Sequence, residues 1–473
     1  MSIHTRNLLG IAILASLGLS ACGGGGSGSG GASSSFTSGT ITGFGSVFVN
    51  GVEYETGGSR ISVDGSPATE GDLAVGMRVV VRGSVDGDGR RGTATSIEYA
   101  DELEGIVQTA TIASNGTGSL TVMGLTVQVD NGTFFESRVT GINGPADIAP
   151  GNVIEVSGHR LDDNTIQATL IEVKRAAFTP GDEIEVKGVI GNLTSTTFRF
   201  GSMTIDYSSA QLDNIPGGAL SNGLYVQVKS TAGLDSGGTL LASKVELESG
   251  GDRDIDGNEG EEMELVGPIG TGSSASSFSL NGTRVRITSG TRFEHGSAGS
   301  IADGVEVKVE GRFDASGDLV AEKIEFGKAA ETEIKARVES VDPAAGTLVV
   351  MGLTLSVDGF TMFKDDRSSN RVRRFGLDDL NPGTDRVEVD FYRDDASGAL
   401  VARKVERKDD SLSDKLEGIV EGAPATGQIT VGGVTVDVSG VGTVPATGRK
   451  VEISGSYDVG TGILVATRLQ IDS

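Results

Sequence analysis

The acidic stretch DRDIDGNEGEE, from Asp252 to Glu262, has the most regular spacing of chemically active groups in the chain. Asp252, Asp254 and Asp256 alternate and are followed by a glycine, as in the first half of a calcium-binding loop. The twelfth position, where such a loop carries a bidentate glutamate, is Met263, and Glu262 falls one residue early. We therefore favour a solvated acidic linker. Calcium bound by the three aspartates and Glu262 is the alternative.

A cluster of arginines interrupts the acidity of the chain further on. Its members are Arg367, Arg371, Arg373 and Arg374. Guanidinium groups can hold an anionic sugar, a lipid headgroup or an acidic protein, so the cluster is a candidate ligand site. We favour the other interpretation, in which these arginines balance neighbouring carboxylates, namely Asp365, Asp366, Asp378 and Asp379.

Two aromatic residues near the start of the chain, Phe44 and Phe48, are candidates for a contact surface that stacks on sugars. Alternation along the strand places them on the opposite face from Val47, which shares its face with Tyr54 in the expected core. We favour the alternative that Phe44 and Phe48 pack on the following module.

Few residues are suited to catalysis. Hydrolysis usually recruits a histidine, and after the N-terminal segment only His159 and His295 remain, which we expect in loops. One cysteine and so few histidines disfavour a zinc site. The net charge of −26 repels a polyanion, so we expect no nucleic-acid partner. The sequence therefore predicts no enzyme, and no cofactor other than the calcium considered above.

A hairpin organises the chain, because two alternating β runs around a turn dipeptide occur six times. The dipeptides are Asn50-Gly51, Met123-Gly124, Gly201-Ser202, Asn281-Gly282, Met351-Gly352 and Gly432-Gly433. Such dipeptides favour two-residue turns, which set the register of the flanking strands. The expected apolar pairs are Val49 with Val52, Val47 with Tyr54, Val122 with Leu125, Phe200 with Met203, Phe278 with Val285, Val350 with Leu353, and Val431 with Val434.

Six repeats follow from these hairpins, at 39–100, 104–173, 185–248, 264–326, 333–406 and 416–473, which we call modules 1 to 6. The acidic linker spans 249–263 and suggests a hinge between two arms of three modules. Five short strands with one apolar face each are best buried by closure into a barrel. We predict an all-β tandem array of five-stranded Greek-key barrels of the oligonucleotide/oligosaccharide-binding (OB) type, with small β-sandwiches as the alternative.

The N-terminus is typical of an export signal, with Arg6 before an apolar run that ends near Leu19. The segment LSAC resembles the lipobox of bacterial lipoproteins, so we expect residues 1–21 to be a signal peptide and Cys22 to be lipidated. Residues 22–38 then form the lipidated cysteine and a Gly/Ser tether. Gly23 replaces the aspartate of inner-membrane lipoproteins, which by this resemblance favours the outer membrane, at its periplasmic face or at the cell surface.

The first repeat also resembles a family. Its pattern G-x-I-x-G-F-G-S-x-F-V-N-G-x-x-Y-x-T resembles a domain of unknown function found in tandem in bacterial lipoproteins. The matching residues are Gly39, Ile41, Gly43, Phe44, Gly45, Ser46, Val49, Asn50, Gly51, Tyr54 and Thr56. Later repeats lack the GFGS segment. The resemblance implies no activity.

These observations favour a lipid-anchored cell-envelope protein that acts as a non-enzymatic structural or binding scaffold. A carbohydrate-binding or calcium-dependent adhesion array is the first alternative, and a carboxylate-dependent glycan hydrolase is the second. The expected partners are the membrane, through the lipid on Cys22, and an envelope protein or a glycan.

Overall fold

The computed structural model describes residues 33–44, 46–87, 89–113, 116–248, 258–328, 330–369, 372, 374–394, 397–411, 413–442 and 444–471. These residues form 36 strands and five short 3-10 helices, and no α-helix occurs among them. Over the same ranges, no helix has the length and apolar character needed to cross a membrane. Several predicted features lie outside the described residues, namely the signal peptide, Cys22, Asp252, Asp254, Asp256, Arg371 and Arg373.

Modules 1 and 2 together contain thirteen strands. Those of module 1 are β1 Ser33–Phe44, β2 Val47–Val49, β3 Val52–Glu55, β4 Arg60–Val63, β5 Ser66–Ala68, β6 Arg78–Val85 and β7 Arg91–Tyr99. Those of module 2 are β8 Leu103–Ile112, β9 Gly118–Val122, β10 Leu125–Val129, β11 Phe134–Ser137, β12 Val153–Asp162 and β13 Thr165–Arg175.

Modules 3 and 4 also contain thirteen strands. Those of module 3 are β14 Ile184–Val189, β15 Thr197–Phe200, β16 Met203–Asp206, β17 Gln211–Asp213, β18 Tyr225–Ser230, β19 Leu240–Leu241 and β20 Lys244–Leu247. Those of module 4 are β21 Glu262–Pro268, β22 Ser277–Leu280, β23 Thr283–Arg286, β24 Arg292–Glu294, β25 Glu306–Phe313 and β26 Leu319–Phe326.

Modules 5 and 6 have the simplest strand pattern. Their strands are β27 Thr332–Asp342, β28 Thr347–Val350, β29 Leu353–Asp365, β30 Arg386–Arg393, β31 Leu400–Lys408, β32 Asp414–Gly422, β33 Gln428–Val431, β34 Val434–Asp437, β35 Lys450–Asp458 and β36 Ile463–Ile471. The 3-10 helices precede the fourth barrel strand of modules 1 to 5, at Glu70–Asp72, Pro145–Asp147, Pro216–Gly218, Ala298–Ser300 and Leu377–Asp379.

Each module closes into a five-stranded barrel. In module 2, β8, β9 and β10 are antiparallel neighbours, β10 pairs with β13 in parallel, and β12 joins β13 back to β8. The strand order is therefore first, second, third, fifth, fourth and first again, and modules 1, 5 and 6 repeat it. In modules 3 and 4, the first strand meets the second through single bridges. The predicted Greek-key barrel is confirmed, and closure of the ladder rules out the sandwich alternative.

The predicted hairpin registers are confirmed in all six modules. Both residues of the turn have positive φ in five hairpins, as at Asn50 (52°) and Gly51 (82°), which is the geometry of a type I′ turn. In the module 3 turn, Gly201 has φ of 50° and Ser202 is not among the residues with positive φ. The local sequence therefore determines the hairpins.

A recurring hydrogen bond ties the variable segment of a module to its last strand. The hydroxyl of Thr133 donates to the carbonyl of Ala168 at 2.9 Å. Thr291 and Thr361 make the same bond to Ala321 and Ala402, at 2.7 and 2.6 Å. The bond satisfies a buried carbonyl at the point where the small alanine lets the segment approach the barrel.

Pairing of first strands joins the modules two by two. β8 pairs with β14 and β27 with β32, both antiparallel, so modules 2 and 3 share one sheet and modules 5 and 6 share another. β1 pairs in parallel with β21, which places module 4 against module 1. The expectation of two separate arms on either side of the acidic linker is therefore wrong.

Two predicted boundaries are also wrong. β1 begins at Ser33, so the tether predicted at 22–38 ends earlier and module 1 begins before residue 39. Phe36 is buried, with the Arg82 guanidinium 3.8 Å from its ring centroid. β21 begins at Glu262, inside the linker predicted at 249–263. Both extensions pair with the fourth barrel strand of their own module, β6 and β25, and the Gly/Ser-rich and acidic compositions do not encode this pairing.

Candidate ligand cleft between modules 1 and 5

A cleft of about 730 Å³ lies between modules 1 and 5, with residues of module 4 along one side. We call it the inter-module cleft. Its volume is in the range of small-molecule sites, which are typically about 300 to 1,000 Å³. Aromatic rings, backbone of glycine-rich turns and several charged side chains line it together.

Module 1 contributes its second and third strands and two of its connections. Phe48 on β2 and Glu53 on β3 face the cleft, Phe44 lies at the turn between β1 and β2, and Gly89 and Arg90 belong to the connection between β6 and β7. In OB-type barrels, this strand face and these two connections form the usual ligand-binding surface. The inter-module cleft therefore coincides with the ligand face of module 1.

The two predicted aromatic residues have different environments. Phe48 is half-buried and lines the cleft, as the alternation of β2 predicts, while Tyr54 is fully buried in the core. Phe44 is only 2% exposed, because it belongs to the module 1 core cluster, which also includes Phe134 and Leu170 of module 2, and the Arg374 guanidinium lies 4.7 Å from its ring centroid. Phe44 therefore contacts module 5 while belonging to a core cluster that module 2 shares, and its packing on the following module stays a prediction.

Close backbone approach holds module 5 against module 1. A Cβ atom at Gly376 would lie 2.2 Å from the carbonyl oxygen of Phe44, and one at Gly51 would lie 2.6 Å from Cα of Gly359. The N–H of Phe44 donates to the carbonyl of Phe375 at 3.3 Å. Glycine at these positions lets the two backbones meet and form the floor of the cleft.

Charged groups of both signs line the inter-module cleft. The cations are Arg90, Arg91 and Lys308, and the carboxylates are Glu53, Glu325, Asp342, Asp358 and Asp378. Arg91 lies 3.5 Å from Glu53. Burial opposes the charge of Lys308, but Glu264, at 2.6 Å, together with Glu310 and Glu325, outweighs burial and raises the pKa of the ammonium group. The excess of carboxylates favours an uncharged or cationic ligand over a polyanion.

The predicted arginine cluster is divided between two roles. Arg374 forms an ion pair with Glu70 and stacks on Phe44, so it belongs to the interface of modules 1 and 5. Arg367 forms an ion pair with Asp365 at 2.7 Å. Burial opposes the charge of Asp365, but hydrogen bonds from Arg367 and Arg407 hold its pKa well below the usual range. Charge balancing therefore accounts for Arg367, as we expected.

The candidate calcium loop is described only at its end. Glu262 is the first residue of β21 and forms an ion pair with Arg312 of β25. Met263, at the position of the missing ligand, is buried in the module 4 core. Glu262 is thus paired with Arg312 on the neighbouring strand, and calcium at the linker stays a prediction.

One histidine prediction is wrong. His159 lies in β12 rather than in a loop, and it is buried at a junction of three modules. Its Nδ1 lies 2.7 Å from Oδ1 of Asn281 and its Nε2 lies 3.4 Å from Oγ1 of Thr40. Burial, together with the charge of Arg78, lowers its pKa to about 4, so the ring is neutral. His295 does lie outside the strands, with φ of 58°.

Sequence reasoning missed the module 5 side of the cleft. Asp358, Thr361 and Asp378 line it, but they are more than 300 residues from Phe48. One sequence signal pointed to the cleft on module 1. The GFGS segment is absent from the other repeats, and it contains Gly43 and Phe44, which line the cleft.

Six closed Greek-key barrels, joined through their first strands, define the chain as a tandem-repeat protein of the OB type. The family model that matches it is a domain of unknown function, DUF5666, at residues 38–98, 104–172, 187–246, 266–325 and 335–406. The chain belongs to this family. The matched segments are modules 1 to 5, and module 6 has the same strand order. No match was found among the curated proteins compared.

Proposed function

We propose that this protein is a non-enzymatic binding scaffold of the cell envelope, held at the outer membrane by a lipid on Cys22. The support for the anchor is the order of a charged start, an apolar run and the LSAC segment, with no other cysteine in the chain. The support for the scaffold is the tandem array, in which strand pairing between modules builds one compact unit from residue 32 onward.

The ligand that the inter-module cleft fits best is an uncharged saccharide. The observation that carries this proposal is the coincidence of the cleft with the ligand face of module 1. The ring of Phe48 offers an apolar surface for the C–H face of a sugar. Glu53, Asp358 and Asp378 offer carboxylate oxygens that accept hydrogen bonds from sugar hydroxyls.

Glycan-array binding followed by calorimetric titration of the best oligosaccharide tests this proposal. We expect Phe48→Ala to weaken binding by about tenfold, as loss of a stacking ring does. Phe293→Ala is the matched control, because Phe293 is also half-buried but lies on β24 of module 4, outside the cleft. Equal affinities for Phe48→Ala and Phe293→Ala, or binding only to an envelope protein, would refute the saccharide assignment.

Incubation of the purified protein with the bound oligosaccharide tests the proposal that the protein binds this ligand without hydrolysing it. We expect no release of reducing sugar over hours. Turnover that Asp358→Asn or Asp378→Asn abolishes would replace the scaffold with the carboxylate-dependent hydrolase.

Metabolic labelling with a palmitate analogue tests the anchor. We expect label on the wild-type chain in the outer-membrane fraction, and neither label nor membrane association for Cys22→Ala. A processed, unlabelled protein in the soluble periplasmic fraction would reject the lipid anchor without affecting the proposal for the inter-module cleft.

A further inference from the structure

Three carboxylates meet on the side of module 1 that faces module 3, one from module 1, one from the connection to module 2 and one from module 3. Asp64 lies at the turn between β4 and β5, Asp101 lies in the connection between modules 1 and 2, and Glu185 lies on β14 of module 3. One carboxylate oxygen from each of them lies within 4.8 Å of the others. We call these residues the carboxylate triad. Its members come together only because the three modules are packed.

Asp101 is the member that needs a partner. It is 3% exposed, and its Oδ1 is buried without a hydrogen-bond donor. An ionised carboxylate in this position is costly unless a cation or a proton compensates it. The carboxylates of Glu185 and Asp64 beside it add to this cost.

The lysines beside the carboxylate triad do not balance its negative charge. Lys187 donates to the main-chain carbonyl of Asp101 at 2.8 Å, and Lys229 lies 2.9 Å from Oε2 of Glu185. The neighbouring Glu155 is neutralised by Lys174, which lies outside the triad. Lys229 also pairs with Glu183, so in the described part of the chain the carboxylates outnumber the two ammonium groups that lie beside them.

Solvent reaches two members of the carboxylate triad. Asp64 and Glu185 line a cavity of about 400 Å³, which also contacts Tyr99 and Lys187. A hard divalent cation such as calcium takes six to eight oxygen ligands and readily keeps several waters among them. The cavity offers room for those waters beside the protein oxygens.

We propose that Asp64, Asp101 and Glu185 bind a divalent cation of the calcium type, which fastens modules 1, 2 and 3 together. The cation occupies the space between the three carboxylate oxygens and gives Oδ1 of Asp101 a positively charged partner. This site is separate from the acidic linker and from the inter-module cleft. It stabilises the packed arrangement of three modules, since separated modules do not bring the ligands together.

Calorimetric titration of calcium into the metal-free chain tests the proposal. We expect one site with a dissociation constant on the order of 10⁻⁴ M, as in extracellular calcium modules. The melting temperature should rise with calcium concentration.

Two variants identify the ligands. Asp64→Asn and Glu185→Gln should each weaken calcium binding more than tenfold and should fold normally without metal, since asparagine tolerates the positive φ of Asp64 (48°). Glu246→Gln is the matched control, because Glu246 lines the same cavity but lies outside the carboxylate triad. Its affinity should stay within twofold of the wild type.

Three outcomes would overturn the proposal. The first is the absence of heat and of a melting shift at millimolar calcium. The second is an affinity of the triad variants equal to that of Glu246→Gln. The third is loss of the site on substitution of Asp252, Asp254 and Asp256 by asparagine, which would move calcium to the linker.

Discussion

Gly376 is the position where one added methyl group should separate modules 1 and 5. Its φ of −148° and ψ of −173° are accessible to any residue, so the backbone conformation does not require glycine. A Cβ atom there would lie 2.2 Å from the Phe44 carbonyl oxygen, roughly 1 Å short of ordinary van der Waals contact. Gly376→Ala therefore requires the two backbones to move apart.

The cost has two parts. Overpacking of a close contact typically destabilises by about 1 to 3 kcal/mol. The movement also breaks the hydrogen bond from Phe44 N–H to the Phe375 carbonyl, already 3.3 Å long, for about 0.5 to 1.5 kcal/mol more. We expect Gly376→Ala to lower the free energy of unfolding by about 1.5 to 4.5 kcal/mol.

Urea denaturation combined with hydrogen exchange measures this effect. Amides of β1 and of the 3-10 helix Leu377–Asp379 should exchange faster in Gly376→Ala, while those of module 6 should not change. Gly144→Ala is the control, because Gly144 precedes the equivalent 3-10 helix of module 2 with φ of −162° and no heavy atom within 4 Å of its added Cβ. Equal stability of the two variants would refute the reasoning.

Three further predictions concern buried groups. The pKa of His159 is near 6.5 in the unfolded chain and about 4 in the folded protein. The free energy of unfolding should therefore fall by about 3 kcal/mol as pH drops from 6.5 to 4. In urea melts, His159→Gln should not show this part of the pH dependence. Glu102 lies 2.9 Å from both Arg78 and Arg160, whose charges outweigh its burial and lower its pKa to about 2. Glu102→Gln should lower the free energy of unfolding by about 3 to 5 kcal/mol in denaturant melts at pH 7. The difference from the wild type should shrink as pH falls from 4.5 towards 2. Thr133→Val should cost about 1 to 3 kcal/mol in thermal melts because the Ala168 carbonyl loses its donor, whereas Thr95→Val, at an exposed hydroxyl, should cost under about 0.5 kcal/mol.

The parts of the fold that depend on neighbouring residues could be predicted. Turn dipeptides and period-two alternation act over about ten residues, so the hairpin of Leu120 to Val129 and its pairing of Val122 with Leu125 follow from local sequence. Closure into a barrel also follows, because an open sheet of such strands would expose an apolar face and two edges. The same reasoning identified module 6, which has the strand order of the other five.

The candidate site could be predicted only in part. Alternation along β2 assigns Phe48 to the outer face, and the solitary GFGS segment distinguishes module 1 from the other repeats. The partners of Phe44 could not be inferred, since Arg374 and Phe375 reach it through an interface between modules 1 and 5. Periodicity describes which face of a strand is apolar, but it does not describe which surface of another module covers that face.

The sequence by itself determined six hairpin-based barrels, because each barrel is specified by contacts within some 70 residues. Only the tertiary structure decided that β1 pairs with β21, that the inter-module cleft forms, and that Asp64, Asp101 and Glu185 meet. These arrangements depend on complementary surfaces of separate modules, with hydrogen bonds and ion pairs between residues over 100 positions apart. Such pairs leave no periodic pattern in the chain, and packing alone brings them together.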